Sequence, residues 1–99
     1  MKELVESLNK SFENRVRLAV MSILVVNDSI DFNSLKRMLN VTDGNLATHI
    51  AALENRKYIK VEKDFVGKKT LTTYSVTHSG RKAFADHLNA LEQLIRRTK

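Results

Sequence analysis

The spacing of apolar residues changes at Tyr58, and this change limits the folds available to the chain. Before Tyr58, apolar residues recur every third or fourth position, as at Leu46, Ile50 and Leu53, which is the spacing of amphipathic helices. In the segment 59–65, apolar and charged residues alternate, which is the pattern of a half-buried β-strand. The sequence therefore predicts an α+β domain, mainly helical, with a β-hairpin late in the chain.

Two helices are predicted at the start of the chain. The first covers residues 1–10, with apolar residues at every fourth position. These are Leu4, Leu8 and Phe12. Either Ser11 or Asn14 can cap the second helix, and Asn27-Asp28-Ser29 ends it with turn-forming residues. Its apolar face consists of Val16, Ala19, Val20, Ile23 and Leu24.

Two shorter helices follow, separated by only three residues, Asn40-Val41-Thr42. Before them, Ser29-Ile30-Asp31 is long enough only for a bridge or a very short strand. Asp31 is positioned to cap the first of these helices, and Thr42 the second, with Asp43 in the first turn, where a negative charge suits the helix dipole. The residues expected to face inward are Leu35, Met38 and Leu39, then Leu46, Ile50 and Leu53.

A hairpin and a long helix complete the prediction. The inward positions of the first strand are Ile59, Val61, Lys63 and Phe65. Gly67-Lys68-Lys69 predicts the turn, and the β-branched segment 70–76 predicts a strand that pairs back. Thr77 is positioned to cap a final helix over 78–97. The apolar stripe of that helix is Phe84, Leu88, Leu91 and Ile95.

This order of elements is that of a winged helix-turn-helix. Two helices joined by a tight turn, residues 31–56, precede a two-stranded wing, residues 58–77, and a long C-terminal helix. No internal repeat or linker rich in Pro, Gly or Ser is present, and 99 residues are too few for two hydrophobic cores. We therefore expect residues 1–99 to form one domain.

The positive charge of the chain is concentrated around the wing. The chain has 17 Lys and Arg against 11 Asp and Glu, a formal net charge of +6. Between Arg56 and Lys82 there are eight basic residues and two acidic ones, so this segment accounts for the whole excess. Such a localised field favours a polyanionic partner, nucleic acid before anionic lipid, although a solvated lysine-rich surface would have the same composition.

Several classes of protein are disfavoured by what the sequence lacks. Without cysteine there is no disulfide, thiolate metal site or cysteine nucleophile. His49, His78 and His87 have no carboxylate at ligand spacing, and neither a Ser-His-acid arrangement nor a glycine-rich phosphate loop occurs. No stretch resembles a signal peptide or reaches the roughly 18–20 apolar residues of a membrane span. We expect a cytoplasmic protein without metal, cofactor, membrane partner or enzymatic activity.

The helix pair and the wing also carry the motifs of a known family. These motifs are Asp43-Gly44-Asn45-Leu46 with His49, K-x-F-x-G over 63–67 and T-x-Y-x-x-T-x-x-G-R over 72–81. In this combination, the segment from Arg17 to Leu91 resembles the small single-domain winged-helix regulators related to the MarR and ArsR groups. The resemblance implies a homodimeric transcriptional regulator that binds duplex DNA. Relatives often have Gly where this chain has Lys57, so the end of the preceding helix is expected to differ in shape, and Lys57 is expected to add a phosphate contact.

The outer side of the helix from Asp43 to Asn55 is expected to read DNA. It presents short neutral side chains where an ordinary solvent-facing helix has Lys and Glu, and such side chains allow close approach to a major groove. An unremarkable polar face is the alternative, and for His49, at the edge, a hydrogen-bonded boundary role is the commoner one. The candidate residues are Thr42, Asp43, Gly44, Asn45, Thr48, His49 and Asn55. Candidates for phosphate or minor-groove contacts on the wing and its flank are Arg56, Lys57, Lys63, Lys68, Lys69 and Thr70.

The terminal helices, 1–10 and 78–97, are expected to form a homodimer. A final helix of about 20 residues is ~30 Å long, so its last turns should project beyond the core while remaining apolar. The candidate dimerisation residues are Leu4, Leu8, Phe84, Leu88, Leu91, Leu94 and Ile95. The alternative is that the two helices cover each other within one chain.

Together these features predict a sequence-specific regulator that binds double-stranded DNA as a homodimer. The alternative function is a winged-helix module for protein–protein contact, in which the hairpin or the final helix binds an acidic partner.

Overall fold

The computed structural model describes residues 1–97, which form a short 3-10 turn, Lys10–Phe12, five α-helices and three strands. The helices are α1 Lys2–Glu6, α2 Arg15–Leu24, α3 Phe32–Leu39, α4 Asp43–Asn55 and α5 His78–Arg97. The strands are β1 Ile30–Asp31, β2 Ile59–Val66 and β3 Lys69–Val76. This order confirms the predicted winged helix-turn-helix with a two-stranded wing and a long C-terminal helix.

Four of the helices begin directly after a short polar residue that caps them. In each case a side-chain oxygen accepts a backbone N–H two or three residues ahead, at 2.9–3.2 Å, which satisfies a donor that the first turn leaves unpaired. The four capping residues are Asn14, Asp31, Thr42 and Thr77. Asn14 therefore caps α2, rather than Ser11. At its other end, α3 stops where Asn40 adopts a left-handed conformation, with φ 52°.

The predicted first helix, residues 1–10, is wrong in its extent, because α1 ends at Glu6. Asn9 is extended, with φ −94° and ψ 118°, and its backbone N–H donates to His87 Nδ1 of α5 at 3.0 Å. Its side chain then caps the 3-10 turn by accepting from the Ser11 N–H at 2.9 Å. These bonds replace a helical continuation and direct Phe12 into the core, where its ring meets that of Phe84 edge to face at 5.3 Å.

The three strands form one antiparallel sheet in the order β1-β3-β2. Tyr74 of β3 lies between Ile30 on one side and Val61 on the other, so the base of the hairpin is tied to the start of α3. At the tip, Val66 pairs with Lys69, so the turn contains only Gly67 and Lys68, one residue fewer than predicted. Gly67 has φ 66°, as the first position of a tight hairpin turn requires.

Helices α2, α3 and α4, the base of the sheet and α5 enclose the core. Its buried residues are Phe12, Val20, Met21, Leu24, Leu35, Leu46, Ile50, Leu53, Ile59, Tyr74 and Phe84. Three residues expected to face inward, Met38, Lys63 and Phe65, are exposed instead. Met38 is 58% exposed, because with Leu35 and Leu39 inward it points about 80° away from the core side of α3. Phe65 is 79% exposed, because the wing extends beyond the core after Val61.

Candidate nucleic-acid interface

The orientation of α4 is fixed by its packing into the core. Leu46, Ile50 and Leu53 are buried at spacings of four and three, so the opposite side of the helix faces outward. Its exposed residues include Gly44, Asn45, Thr48, Ala51 and Asn55. No lysine, arginine, aspartate or glutamate occurs among these five, so the centre of the outer face is neutral and able to donate and accept hydrogen bonds, while the exposed carboxylates of Asp43 and Glu54 lie at its edges.

At the N-terminal end of α4, the polar side chains are held in fixed positions. The Asp43 carboxylate pairs with the Lys36 ammonium of α3 at 2.7 Å, so its charge is balanced on the helix-pair surface. The Thr48 hydroxyl donates to the Gly44 carbonyl at 2.8 Å. A Cβ at Gly44 would have no neighbour within 4 Å, so packing does not explain this glycine. Gly44 instead leaves the backbone of the first turn open to an external group.

The C-terminal end of α4 is built around Lys57. Its φ is 63°, its N–H donates to the Glu54 carbonyl at 2.8 Å, and the Tyr58 N–H donates to the Leu53 carbonyl at 3.0 Å. This pair of bonds is a Schellman motif, which usually has Gly at the left-handed position. The expectation that this helix end differs in shape is therefore wrong: Lys57 adopts the left-handed conformation that glycine ordinarily provides, and the chain places an exposed cation there.

The start of α5 is attached to this helix end. The Thr77 hydroxyl donates to the Lys57 carbonyl at 2.6 Å, and the Thr77 N–H donates to the Tyr58 carbonyl at 2.9 Å. Gly80 is required here, since a Cβ on it would lie 2.0 Å from the Tyr58 carbonyl oxygen. The long helix and the wing are consequently fixed relative to α4.

His49 lies at the edge of the outer face and is half-buried. Its Nδ1 accepts a hydrogen bond from Arg17 Nη1 at 3.0 Å, and Arg17 Nε donates to the Ser11 carbonyl at 2.6 Å. Burial, and then the Arg17 charge, lower the pKa of His49. The neutral ring that accepts at Nδ1 carries its proton on Nε2, so Arg17 positions His49 as a donor through Nε2.

A hollow of about 390 Å³ lies beside the C-terminal half of α4, and we call it the basic hollow. Lys10, Arg17 and Arg56 line it, together with Ser11, Ala52 and Asn55, and no carboxylate is among its lining residues within 1–97. Arg56 was predicted to contact DNA, but Lys10 was missed. No local pattern could have indicated Lys10, because it reaches the hollow only through the bonds that end α1.

A second concavity, the wing groove, separates α4 from the wing. It measures about 580 Å³ and runs between Ala47 and Ala51 of α4 and Lys63 and Thr70 of the wing. Lys63 and Thr70 therefore lie on the same side as α4, as their alternation with Asp64 and Lys69 requires. Lys68 occupies the turn, and Lys69, on the other side of β3, is also exposed.

The candidate dimerisation residues divide into two groups. Phe84 is 4% exposed and packs on Phe12 in the core of its own chain, so it cannot contact a partner. Helix α1 lies against α5 of the same chain, so the terminal helices cover each other in part. Leu4, Leu8, Leu91 and Leu94 are half-buried, whereas Leu88 and Ile95 are 46% and 60% exposed.

Neither a metal-binding cluster nor a membrane-spanning helix is found in residues 1–97. These residues contain no group of three or more His, Asp or Glu side chains arranged to hold a metal ion. None of the helices described here combines the length and apolar character needed to cross a lipid bilayer.

Comparison with known proteins identifies the fold. A family model for the winged helix DNA-binding domain matches residues 16–95. The chain belongs to the winged helix DNA-binding domain family. An uncharacterised protein of Methanocaldococcus jannaschii is 33% identical over 85 residues, which cover 86% of this chain and 92% of that protein.

Solved structures place this winged-helix domain among proteins of the transcriptional regulator type. A transcriptional regulator homologue from Pyrococcus horikoshii superposes with a TM-score of 0.89 at 28% identity, covering 100% of this chain and 99% of that one. The YusO protein of Bacillus subtilis superposes with a TM-score of 0.80 at 18% identity, over 98% of this chain and 68% of its own. The resemblance to winged-helix transcriptional regulators is confirmed.

Proposed function

We propose that this winged-helix domain is a transcriptional regulator that binds double-stranded DNA sequence-specifically as a homodimer. The observation that carries the proposal is the outer face of α4, which is exposed, neutral and composed of small or hydrogen-bonding side chains. An asparagine can bond adenine through two atoms, and a threonine or alanine methyl group suits the thymine methyl. Asn45, Thr48 and Asn55 are therefore proposed to contact base edges in the major groove.

Phosphate contacts are proposed on both sides of α4. On one side, Lys10 and Arg56 are exposed and line the basic hollow, whose lining contains no carboxylate within residues 1–97. On the other, Lys63 and Lys68 of the wing are exposed. Thr42 and the open backbone at Gly44 would approach a phosphate at the helix N-terminus, where the dipole favours an anion. Lys57, exposed at the other end of α4, adds a further contact.

The homodimer is proposed to form through the C-terminal half of α5. Leu88 and Ile95 are both exposed there, and Val5 of α1 is exposed as well. A two-fold axis through these helices would place two α4 helices about 34 Å apart, one turn of DNA. Bound protein would then act by occupancy in the cytoplasm, blocking or redirecting polymerase.

Substitution of the wing lysines tests the proposal. The double variant Lys68→Ala/Lys69→Ala should weaken binding to all duplexes. It should also lower the slope of log affinity against log salt concentration, by roughly 0.9 for each phosphate that one of these lysines neutralises in the wild type. Lys2→Ala with Lys82→Ala is the matched control. It also removes two exposed lysines, each paired with a carboxylate one helical turn away, and should leave the slope near that of the wild type.

The same titration separates the proposal from a protein-binding module. If the wild type shows neither a steep salt dependence nor a preference among duplexes, the domain does not act through DNA. If the wing and control variants have equal slopes, the wing points away from DNA, as it would in a protein-binding module.

A further inference from the structure

Phe65 is the most exposed aromatic residue of the wing, at 79% of its surface. It lies next to the Gly67-Lys68 turn and opposite Thr70, beyond the last wing residue that contacts the core. Aromatic side chains normally stabilise a fold by being buried, and Phe65 contributes little by burial at this position. An exposed ring held on a short, paired hairpin is therefore available to a partner.

The two faces of the wing differ in charge, and only one of them carries no acidic residue of the wing. The pairing of β2 with β3 places Lys63, Phe65 and Thr70 on the inner face, which borders the wing groove and α4. Both wing carboxylates, Glu62 and Asp64, lie on the other face. The inner face thus combines an aromatic ring with a cation and carries no acid along the strand pair, and the two carboxylates of the wing groove, Asp31 and Glu54, belong to β1 and α4 rather than to the wing hairpin.

The position of the inner face beside α4 indicates which partner Phe65 would meet. Helix α4 is proposed to occupy a major groove, and the wing extends from the C-terminal end of that helix across the wing groove. The next surface of the duplex in that direction is the phosphate backbone, followed by the adjacent minor groove. Proteins that use the minor groove frequently insert an apolar side chain between base steps and bend the duplex.

We propose that Phe65 enters the minor groove beside the half-site contacted by α4 and partly unstacks a base step there. Lys63 and Lys68 hold the phosphates on either side of the ring. This inference rests on the proposed function and adds to it a residue that reads the deformability of flanking DNA rather than base edges. Flexible pyrimidine–purine steps are the sequences that such a wedge prefers.

The experiment compares Phe65→Ala with Val66→Ala on a duplex that the wild type selects from a random pool. Val66 is the next residue on the strand, is 64% exposed and lies on the other face, so it controls for loss of exposed apolar surface. A 2-aminopurine base is placed in turn at each flanking step, where its fluorescence increases on unstacking. Phe65→Leu tests whether another apolar wedge restores the effect.

We expect Phe65→Ala to weaken binding about tenfold, the equivalent of removing one aromatic stacking interaction, and to abolish the fluorescence increase. Its salt slope should equal that of the wild type, because an apolar contact releases no counterions. Val66→Ala should behave as the wild type, and Phe65→Leu should retain most of the affinity and fluorescence change.

Equal affinity of the Phe65→Ala and Val66→Ala variants would overturn the inference. So would a loss of affinity without any change in 2-aminopurine fluorescence, since the ring would then act outside the base stack. Failure of the wild type to select any duplex would instead refute the proposed function. The two failures are therefore distinguishable.

Discussion

Replacing Lys57 by glycine should stabilise the protein while weakening its binding to DNA. Lys57 adopts φ 63° at the end of α4, a conformation that costs an L-residue roughly 1–2 kcal/mol. Glycine removes this cost but loses about 0.5–1 kcal/mol more than alanine through its larger unfolded-state entropy. The net expected gain is about 0.5–1 kcal/mol, which raises the Tm of a domain of this size by roughly 2–8 °C.

The two effects can be measured separately and controlled. Thermal unfolding followed by circular dichroism at one fixed protein concentration gives the Tm, and a salt titration of duplex binding gives the slope. Lys60→Gly is the matched control, because it removes the same charge from an exposed strand position three residues away. It should lower the Tm, since glycine weakens a strand interior.

Lys57→Asn separates the backbone effect from the charge effect. Asparagine tolerates the left-handed region better than most residues but keeps a Cβ, so the Tm should fall between those of the wild type and Lys57→Gly. Both Lys57 variants should lose the same salt dependence, roughly 0.9 per phosphate contact. A lower Tm for Lys57→Gly than for the wild type would refute the account of the helix end, and unchanged slopes would refute the phosphate contact.

Three further predictions concern the packing around α5. Gly80→Ala should destabilise the domain by about 3 kcal/mol or prevent folding, because the added Cβ overlaps the Tyr58 carbonyl; a wild-type Tm would contradict this. Burial lowers the pKa of His87, so the unfolded state binds more protons than the folded state does. The contribution of His87 to stability should therefore be fully present above about pH 6.5 and should decrease as the pH falls below that value. His87→Gln should flatten much of this dependence of the Tm on pH. Leu88→Glu with Ile95→Glu should give a folded monomer in sedimentation that no longer binds the operator tightly, whereas a dimer of wild-type affinity would exclude this face as the interface.

Local chemistry was sufficient to predict most of the elements. Asp31, Thr42 and Thr77 are capping residues whose effect extends over only three positions, and all three begin the helices expected of them. The inward face of α4 was also predictable, because Leu46 and Leu53 repeat at the helical period within one element. The shape of the helix end at Lys57 was predicted wrongly, since it depends on whether surrounding bonds hold a non-glycine residue in a left-handed conformation.

Errors arose where distant residues decide the outcome. The period of α1 continues through Leu8, but the bond from Asn9 to His87, 78 positions away, ends the helix. Phe65 alternates with charged residues as a buried strand position would, yet the core ends at Val61 and leaves the ring exposed. The basic hollow likewise joins residues from separate elements, and only the folded chain brings Lys10 close to α4.

The central claim is that the outer face of α4 reads base sequence, and selection of duplexes from a random pool tests this claim most directly. The wild type should enrich two related half-sites about one helical turn apart. Asn45→Ala and Thr48→Ala should each reduce the discrimination between bases at particular positions of the half-site. The loss should be ~1–3 kcal/mol where the wild-type side chain bonds its base through two atoms. Non-specific affinity should change little. Asn89→Ala, which replaces an exposed asparagine on α5, should select the wild-type sequence. A pool that the wild type does not enrich, or one in which both α4 variants select the same sequences as the wild type, would contradict the account.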